Sequence, residues 1–218
     1  ITMTYRSFIK NPVKLQELAI INAFVILQFF LQGAVGVLSK GIKESYGLDA
    51  ASLSILSSSF FTFFILLQIP AGILLDRWSF RKILTFAAFL VGSGCLFWAF
   101  FDHFLVSVLS RALMGAGSAF SYIGLLKNIK SNFSSREFAF ILSVSECASF
   151  VGVALANNLA SSASSLWGWR FVIGVCGFLA ILISICIYYG FKEKPREDQW
   201  PQKAHSFSAV FDKEFQAQ

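Results

Sequence analysis

The sequence predicts an all-α, polytopic membrane protein with six transmembrane helices. Three observations carry this. The 218 residues are 56% hydrophobic and 17% aromatic, with 26 Phe, but only 14% charged; an average soluble domain has roughly 25% charged residues. Mean hydropathy is +0.67. The apolar residues form six long continuous stretches, not the roughly ten-residue alternating segments of a barrel. Backbone in lipid must satisfy its own hydrogen bonds, so such stretches are expected to be helices.

Taken in order, the first span is Leu18–Leu38, preceded by Arg6, Lys10 and Lys14. It is too long for the apolar core of a cleavable leader. Leu53–Leu75 and Ile83–Phe101 follow, separated by a charged connection holding Asp76, Arg77, Arg81 and Lys82. The fourth and fifth spans are Phe104–Leu126 and Phe138–Ala160, and the sixth is Phe171–Phe191. Residues 1–17 form a polar leading segment, 18–191 the six-helix bundle, and 192–218 a polar tail. Cys95, Cys147, Cys176 and Cys186 all fall inside spans without metal-ligand spacing, as packing residues do.

Basic residues set the orientation, because Lys and Arg accumulate in short cytoplasmic loops. Of 18 basic residues, 14 fall on one side: before the first span, in the second-to-third and fourth-to-fifth connections, and after the sixth span. Lys40, Lys43 and Arg170 fall on the other side, and Arg111 lies within a span. Both ends are therefore expected in the cytoplasm, and a bacterial inner membrane is the expected setting. The net charge of +6 follows from this bias and from anionic lipid, so no nucleic-acid partner is needed.

The order of residues in the charged connection is specific. Gly72, Leu74, Asp76, Arg77, Arg81 and Lys82 resemble the signature between helices two and three of the major facilitator superfamily of transporters, with Ser79 replacing its second glycine. Arg111, Gly115 and Gly117 in "RALMGAG" resemble the family's fourth-helix motif, "GWRF" at Gly168–Phe171 its entry into helix six, and "KEKPRE" its central loop. The resemblance covers nearly the whole chain. It implies six helices arranged as two inverted three-helix repeats, forming the N-terminal half of a twelve-helix carrier that works by alternating access. Ser206–Phe215 resembles the stretch before helix seven. The chain therefore reads as a fragment lacking its C-terminal half; the alternative is a natural half-size protein pairing with another half.

The resemblance also implies a role for the loop: Gly72, Asp76, Arg77, Arg81 and Lys82 would latch the two halves together in one state, with Gly72 allowing close helix approach. The residues alone require only a topogenic loop.

The remaining candidates are polar groups within spans. Arg111 is costly in hydrocarbon, at least about 2.5–3.5 kcal/mol, so it is expected to face the transport path, or else to form an ion pair or clamp carbonyls. Gly115, Ser118 and Tyr122 share its helical face, while Gly117, Ser121 and Gly124 form a small-residue packing face. Glu146 is the acidic residue deep in a span. It is expected to carry coupling protons, or else to pair permanently with Arg111. Gln28, Gln32 and Gln68 read as cavity-facing or as interhelical hydrogen-bond groups.

No span carries a nucleophile with a base, or metal-ligand spacing, so neither an enzyme nor a cofactor is expected. The expected function is secondary active transport of a small polar or anionic solute, with protons as second partner. Drug efflux is the alternative within the family, disfavoured because span five lacks a Gly-Pro pair. A non-transporting scaffold is the alternative outside it.

Overall fold

The computed structural model describes residues 12–191; the tail from Lys192 and the stretch Ser206–Phe215 lie outside the described residues. Seven helices follow in order: α1 Pro12–Val37, α2 Ser39–Tyr46, α3 Ala50–Arg77, α4 Phe80–Phe100, α5 Phe104–Asn132, α6 Ser135–Trp167 and α7 Trp169–Gly190. All except α2 are long and apolar enough to cross a membrane. The chain is an all-helical, multi-pass membrane protein.

Each spanning helix outruns the apolar stretch that predicted it. α1 is described from Pro12, six residues before the expected start. α6 begins at Ser135, where Ser134 and Glu137 form a capping box that satisfies two open amide donors. Asp49 caps α3 by accepting from Ser52 N–H at 2.8 Å. The helix breaks are short. α6 and α7 are joined by Gly168 alone, at φ 83, a conformation that a residue with a side chain rarely adopts. Ser79, in contrast, sits at φ −58, so the family's glycine is not needed in that turn.

α1 and α5 form the centre. About 56% of the most apolar window of each is buried, against 11% in α3 and 17% in α6. α4 packs mainly against α5 and α7, α3 against α5, and α6 against α1. Pairings along the helices fix their senses. Glu17 meets Asn128 and Asn132, Gln28 meets Ser121 and Leu31 meets Arg111, so α1 and α5 are antiparallel. Asn22 meets Ser145, and Phe29 stacks on Phe150, so α1 and α6 are parallel.

The two ends of the bundle differ. One carries Lys14, Arg77, Arg81, Lys82, Lys127, Lys130 and Arg136 and is called the basic end. α2 folds over the other end. Its Ile42 is buried, its Ser45 Oγ accepts from Trp169 Nε1 at 2.9 Å, and Tyr46 Oη lies 2.9 Å from Ser107 Oγ. Arg170 stacks on Trp169 and Tyr46 and pairs with Asp102. No continuous apolar run announces α2; its amphipathic eight residues were legible only as a connection.

Candidate transport site

The two glycines of the fourth-helix motif are places of close helix approach. A Cβ at Gly115 would stand 2.2 Å from Phe60 O, and one at Gly117 would stand 2.5 Å from Ala87 O. Both distances are far inside van der Waals contact, so α5 touches α3 through Gly115 and α4 through Gly117. Small residues at such crossings let backbones pack in the absence of a hydrophobic drive between helices in lipid. Gly72 behaves otherwise. A Cβ there meets nothing within 4 Å, so the expectation that it brings two helices of this unit together is corrected. It lines a shallow crevice of about 230 Å³ with Asp76, Ile123, Leu126, Lys127 and Phe138.

Arg111 is completely buried. Its Nη1 donates to Leu31 O at 2.6 Å and its Nε donates to Leu56 O at 3.4 Å. The guanidinium lies over Phe60, 4.6 Å from the ring centroid, and over Trp98 at 5.5 Å. Both hydrogen-bond partners are main-chain carbonyls, on α1 and α3, so one planar fork on α5 grips two other helices. A cation sandwiched by two rings and two carbonyl dipoles regains part of the hydration it loses on burial. Nη2 has no partner.

Glu146 stands elsewhere. It follows Ser145, which pairs with Asn22, whereas Arg111 pairs with Leu31, nine residues further along α1. At 1.5 Å per residue the two levels differ by about 13 Å, and no ion pair joins Arg111 to Glu146. Oε1 of Glu146 is enclosed without a hydrogen-bond partner.

The glutamines share the central region. Gln28 is buried, donates to Gln32 Oε1 at 3.0 Å and accepts from Ser121 Oγ at 3.4 Å. Gln32 is half-buried, and Gln68 on α3 is exposed. Along α3, Leu56 matches Arg111 and Asp76 matches Lys127. Gln68 therefore lies near the level of Ser121, Tyr122 and Gln28, while Glu146, next to the partner of Asn22, lies about 8 Å nearer the basic end. Gln28, Gln68 and Tyr122 thus lie near one level on α1, α3 and α5, a polar belt flanked by Glu146 of α6 toward the basic end and by Gln32 and Arg111 toward α2.

At the basic end, Asp76 pairs with Lys127 at 3.0 Å, and the same Nζ donates to Leu75 O. This bond ties the charged connection to the last turns of α5. Arg81 lies over Tyr188, 5.1 Å from its centroid, tying the connection to α7. Arg77 and Lys82 are exposed. Two contacts at this end escaped the sequence reading. Lys127 was counted only for topology. Glu17, placed in the leading segment, is 3% exposed and accepts from Asn128 Nδ2 at 3.2 Å and Asn132 Nδ2 at 2.9 Å.

A sequence model described as Major Facilitator Superfamily matches residues 18–216. The chain belongs to the Major Facilitator Superfamily. Among curated proteins, this superfamily chain is 27% identical over 190 residues to the probable L-galactonate transporter of Escherichia coli strain K12, covering 83% of this chain and 40% of that protein. It is 22% identical over 198 residues to the probable galactarate/D-glucarate transporter GarP of the same strain, covering 86% and 45%. It is 26% identical over 196 residues to the D-galactonate transporter of Escherichia coli O6:H1, covering 89% and 45%. The chain thus spans less than half the length of these relatives. Among solved structures, it matches a bacterial homologue of the human lysosomal transporter Spinster with TM-score 0.77 at 19% identity, covering 96% of this chain and 50% of that one. It matches the peptide transporter POT with TM-score 0.69 at 13% identity, covering 92% and 44%. These structures share the fold.

Proposed function

We propose that this six-helix unit is the N-terminal half of a proton-coupled secondary transporter for small organic anions, with sugar acids as the substrate class. The named relatives support the class: they are called transporters of L-galactonate, galactarate/D-glucarate and D-galactonate. Hydroxyl-rich acids suit a belt of Gln28, Gln32, Gln68 and Tyr122, whose amides and phenol donate and accept in equal measure. The observation that carries coupling is Glu146, a half-buried carboxylate beside this belt, whose enclosed Oε1 has no hydrogen-bond partner and which forms no ion pair among the described residues. Such a group is better accommodated neutral than charged, so it can carry a proton across.

In this reading the basic end faces the cytoplasm, as the positive-inside rule directs. Asp76, held by Lys127, presents the loop to a second six-helix unit, and Gly72 leaves room for it in the crevice. Asp76, Arg77, Arg81 and Lys82 then act as the latch of one access state. Arg111 supports the path by fixing α1 and α3 rather than by touching substrate.

The test is D-galactonate uptake by the full-length carrier reconstituted in vesicles. Glu146→Gln is expected to retain counterflow exchange and to lose accumulation driven by a proton gradient. Accumulation with an unchanged pH profile would remove Glu146 from the coupling role. Absence of uptake of any sugar acid by the parent protein would remove the substrate class.

A further inference from the structure

α3 and α6 are the least buried spans, and the exposed face of each changes character near mid-helix. Residues three or four apart share a helical face. Along α3, from the end near α2, the exposed strip begins with Ser54, Ser58 and Thr62 and continues with Ile65, Ile69 and Ile73, one turn short of Asp76. Along α6, from the basic end, it begins with Phe140, Val144 and Val151 and continues with Asn158, Ser162 and Ser165. Both strips are therefore polar in the half toward α2 and apolar in the half toward the basic end. Gln68 and Ser143 are exposed in the apolar halves, but the helical period sets each to one side of its strip, Ser143 on the side of Glu146. Ile55 and Leu155, exposed in the polar halves, are set to the opposite edge.

We propose that α3 and α6 seal against a second six-helix unit through their apolar halves and line water with their polar halves, so that the carrier without substrate rests open on the side of α2. The occupant rests on the transport reading above. The matched lengths support it: the chain covers 50% of the Spinster homologue and 40% of the L-galactonate transporter, which leaves room in each for a second unit of this size. Each strip keeps to one face of one helix, so its two halves look toward the same neighbour.

The hydrogen bonds decide which half is wet. Ser54, Ser58 and Thr62 donate to Ala50 O, Ile55 O and Ser58 O, and Ser162 and Ser165 donate to Asn158 O and Ser162 O. Hydroxyls bonded back to their own helix tolerate a dry contact. Asn158 does not. A carboxamide carries two donor hydrogens and an acceptor oxygen, and the helix takes one of these, through Nδ2 to Ala154 O at 2.9 Å. Asn158 is exposed, and neither hydrocarbon nor an apolar seal meets its remaining needs, whereas water does. The apolar halves have the reverse preference. Ile69 is 79% and Phe140 63% exposed in this unit, and wetting them forfeits the hydrophobic gain of the seal. An opening on the α2 side therefore costs less than one on the basic side, and the equilibrium of access states lies toward it. The apolar strip of α3 runs on to Asp76, so the seal and the proposed latch close the same side.

The experiment is spin-label accessibility in the full-length carrier, in lipid vesicles without substrate, with its other cysteines replaced. Labels are placed singly through Ser58→Cys, Asn158→Cys, Ile69→Cys and Val144→Cys. A water-soluble nickel chelate reports exposure to water, and dissolved oxygen reports exposure to lipid. Labels at 58 and 158 are expected to relax several-fold faster with the chelate, and those at 69 and 144 to respond to neither reagent. Chelate access at 69 and 144 with shielding at 58 and 158 would overturn the proposal, because the carrier would then rest open on the basic side. Shielding at all four positions would overturn it too, with the two-unit arrangement intact. A strong oxygen response at 69 and 144 would place lipid there and sink the two-unit reading itself. If the cysteine-replaced carrier does not fold, hydrogen–deuterium exchange of the unsubstituted carrier decides: residues 51–62 and 155–165 are expected to exchange several-fold faster than 65–76 and 140–151, and equal or inverted rates would overturn the proposal.

Discussion

Arg111 offers the sharpest test of how this bundle is held. Arg111→Lys keeps the charge and most of the stem but replaces a planar fork by a single ammonium, which can reach one of the two carbonyls. The bond to Leu31 O at 2.6 Å is charge-assisted, and such bonds contribute about 1.5–3 kcal/mol net. The bond to Leu56 O at 3.4 Å is long and adds little. The stacking on Phe60 and Trp98 is desolvated, a setting in which a cation–π contact is worth about 2 kcal/mol, part of which lysine retains. Losing the shorter bond or much of the stacking costs roughly 2–4 kcal/mol. For a domain of this size each kcal/mol moves Tm by about 2–4 °C, so thermal unfolding in detergent is expected to fall by roughly 5–15 °C. Arg111→Met, which deletes the charge and fills the space, is expected to unfold at or above the Lys variant, because a buried charge replaced by an apolar side chain of similar volume is often neutral or stabilising. The refuting result is an Arg111→Lys protein as stable as the parent whose KM for substrate rises strongly at unchanged kcat. That would make the guanidinium a substrate contact, and the carbonyl clamp incidental.

The other predictions follow from the basic end and the crossings. Asp76→Asn removes a largely exposed ion pair worth roughly 0.2–1 kcal/mol, so Tm is expected to change little while cysteine-probe accessibility of the two faces of the full-length carrier changes; equal accessibility would end the latch reading. Gly115→Ala puts a Cβ onto Phe60 O and is expected to destabilise by at least about 1–3 kcal/mol, measured by thermal melts, whereas Gly72→Ala is expected to melt like the parent. The Ser52 N–H bond holds the Asp49 carboxyl below its ordinary value. A lowered pKa gives stability that is present at neutral pH and lost as pH falls through the lowered value. Amide exchange in the first turn of α3 is therefore expected to quicken on acidification, and Asp49→Ala to abolish that pH dependence.

The six spans and their order were legible because lipid imposes one rule, continuous apolar length, that a single sequence displays. The helix ends were less legible. Capping by Ser134 and Asp49 extends helices into polar sequence, where hydropathy is silent. The positions of Gly115 and Gly117 were read as motif and face, and the structure gives each a named neighbour. Gly72 shows the limit, since a glycine in a motif does not say which body fills the space beside it. Arg111 could be flagged from its cost in hydrocarbon, but its carbonyl partners could not, since every helix residue offers the same acceptor. Glu17 was overlooked for a related reason. It precedes the apolar run by one residue, and only the antiparallel pairing of α1 with α5 carries Asn128 and Asn132, more than a hundred residues away, to its side.

That pairing has a mechanical consequence. Glu17 lies five residues past the start of α1 and reaches across to α5. Arg111 lies seven residues past the start of α5 and reaches across to α1. The two helices hold equivalent places in the inverted repeats, the first helix of each triplet, so each triplet contributes one buried ionisable residue of opposite sign at opposite ends of one seam. An anion near the amino end of α1 and a cation near its carboxyl end also suit its macrodipole, although that field is weak beyond the terminal turn and the hydrogen bonds carry most of the tie. With Gln28 and Ser121 between them, the seam is fastened at three levels, and parting α1 from α5 would strand two buried charges, each costing several kcal/mol. α3 and α6 carry no such load: they are the least buried spans, and α6 meets α1 through Asn22–Ser145 and the Phe29–Phe150 stack. In the proposed carrier, access to the belt cannot then alternate by opening the α1–α5 seam. It has to come from the movement of this whole unit against a second one, across the faces of α3 and α6 that the bundle leaves uncovered.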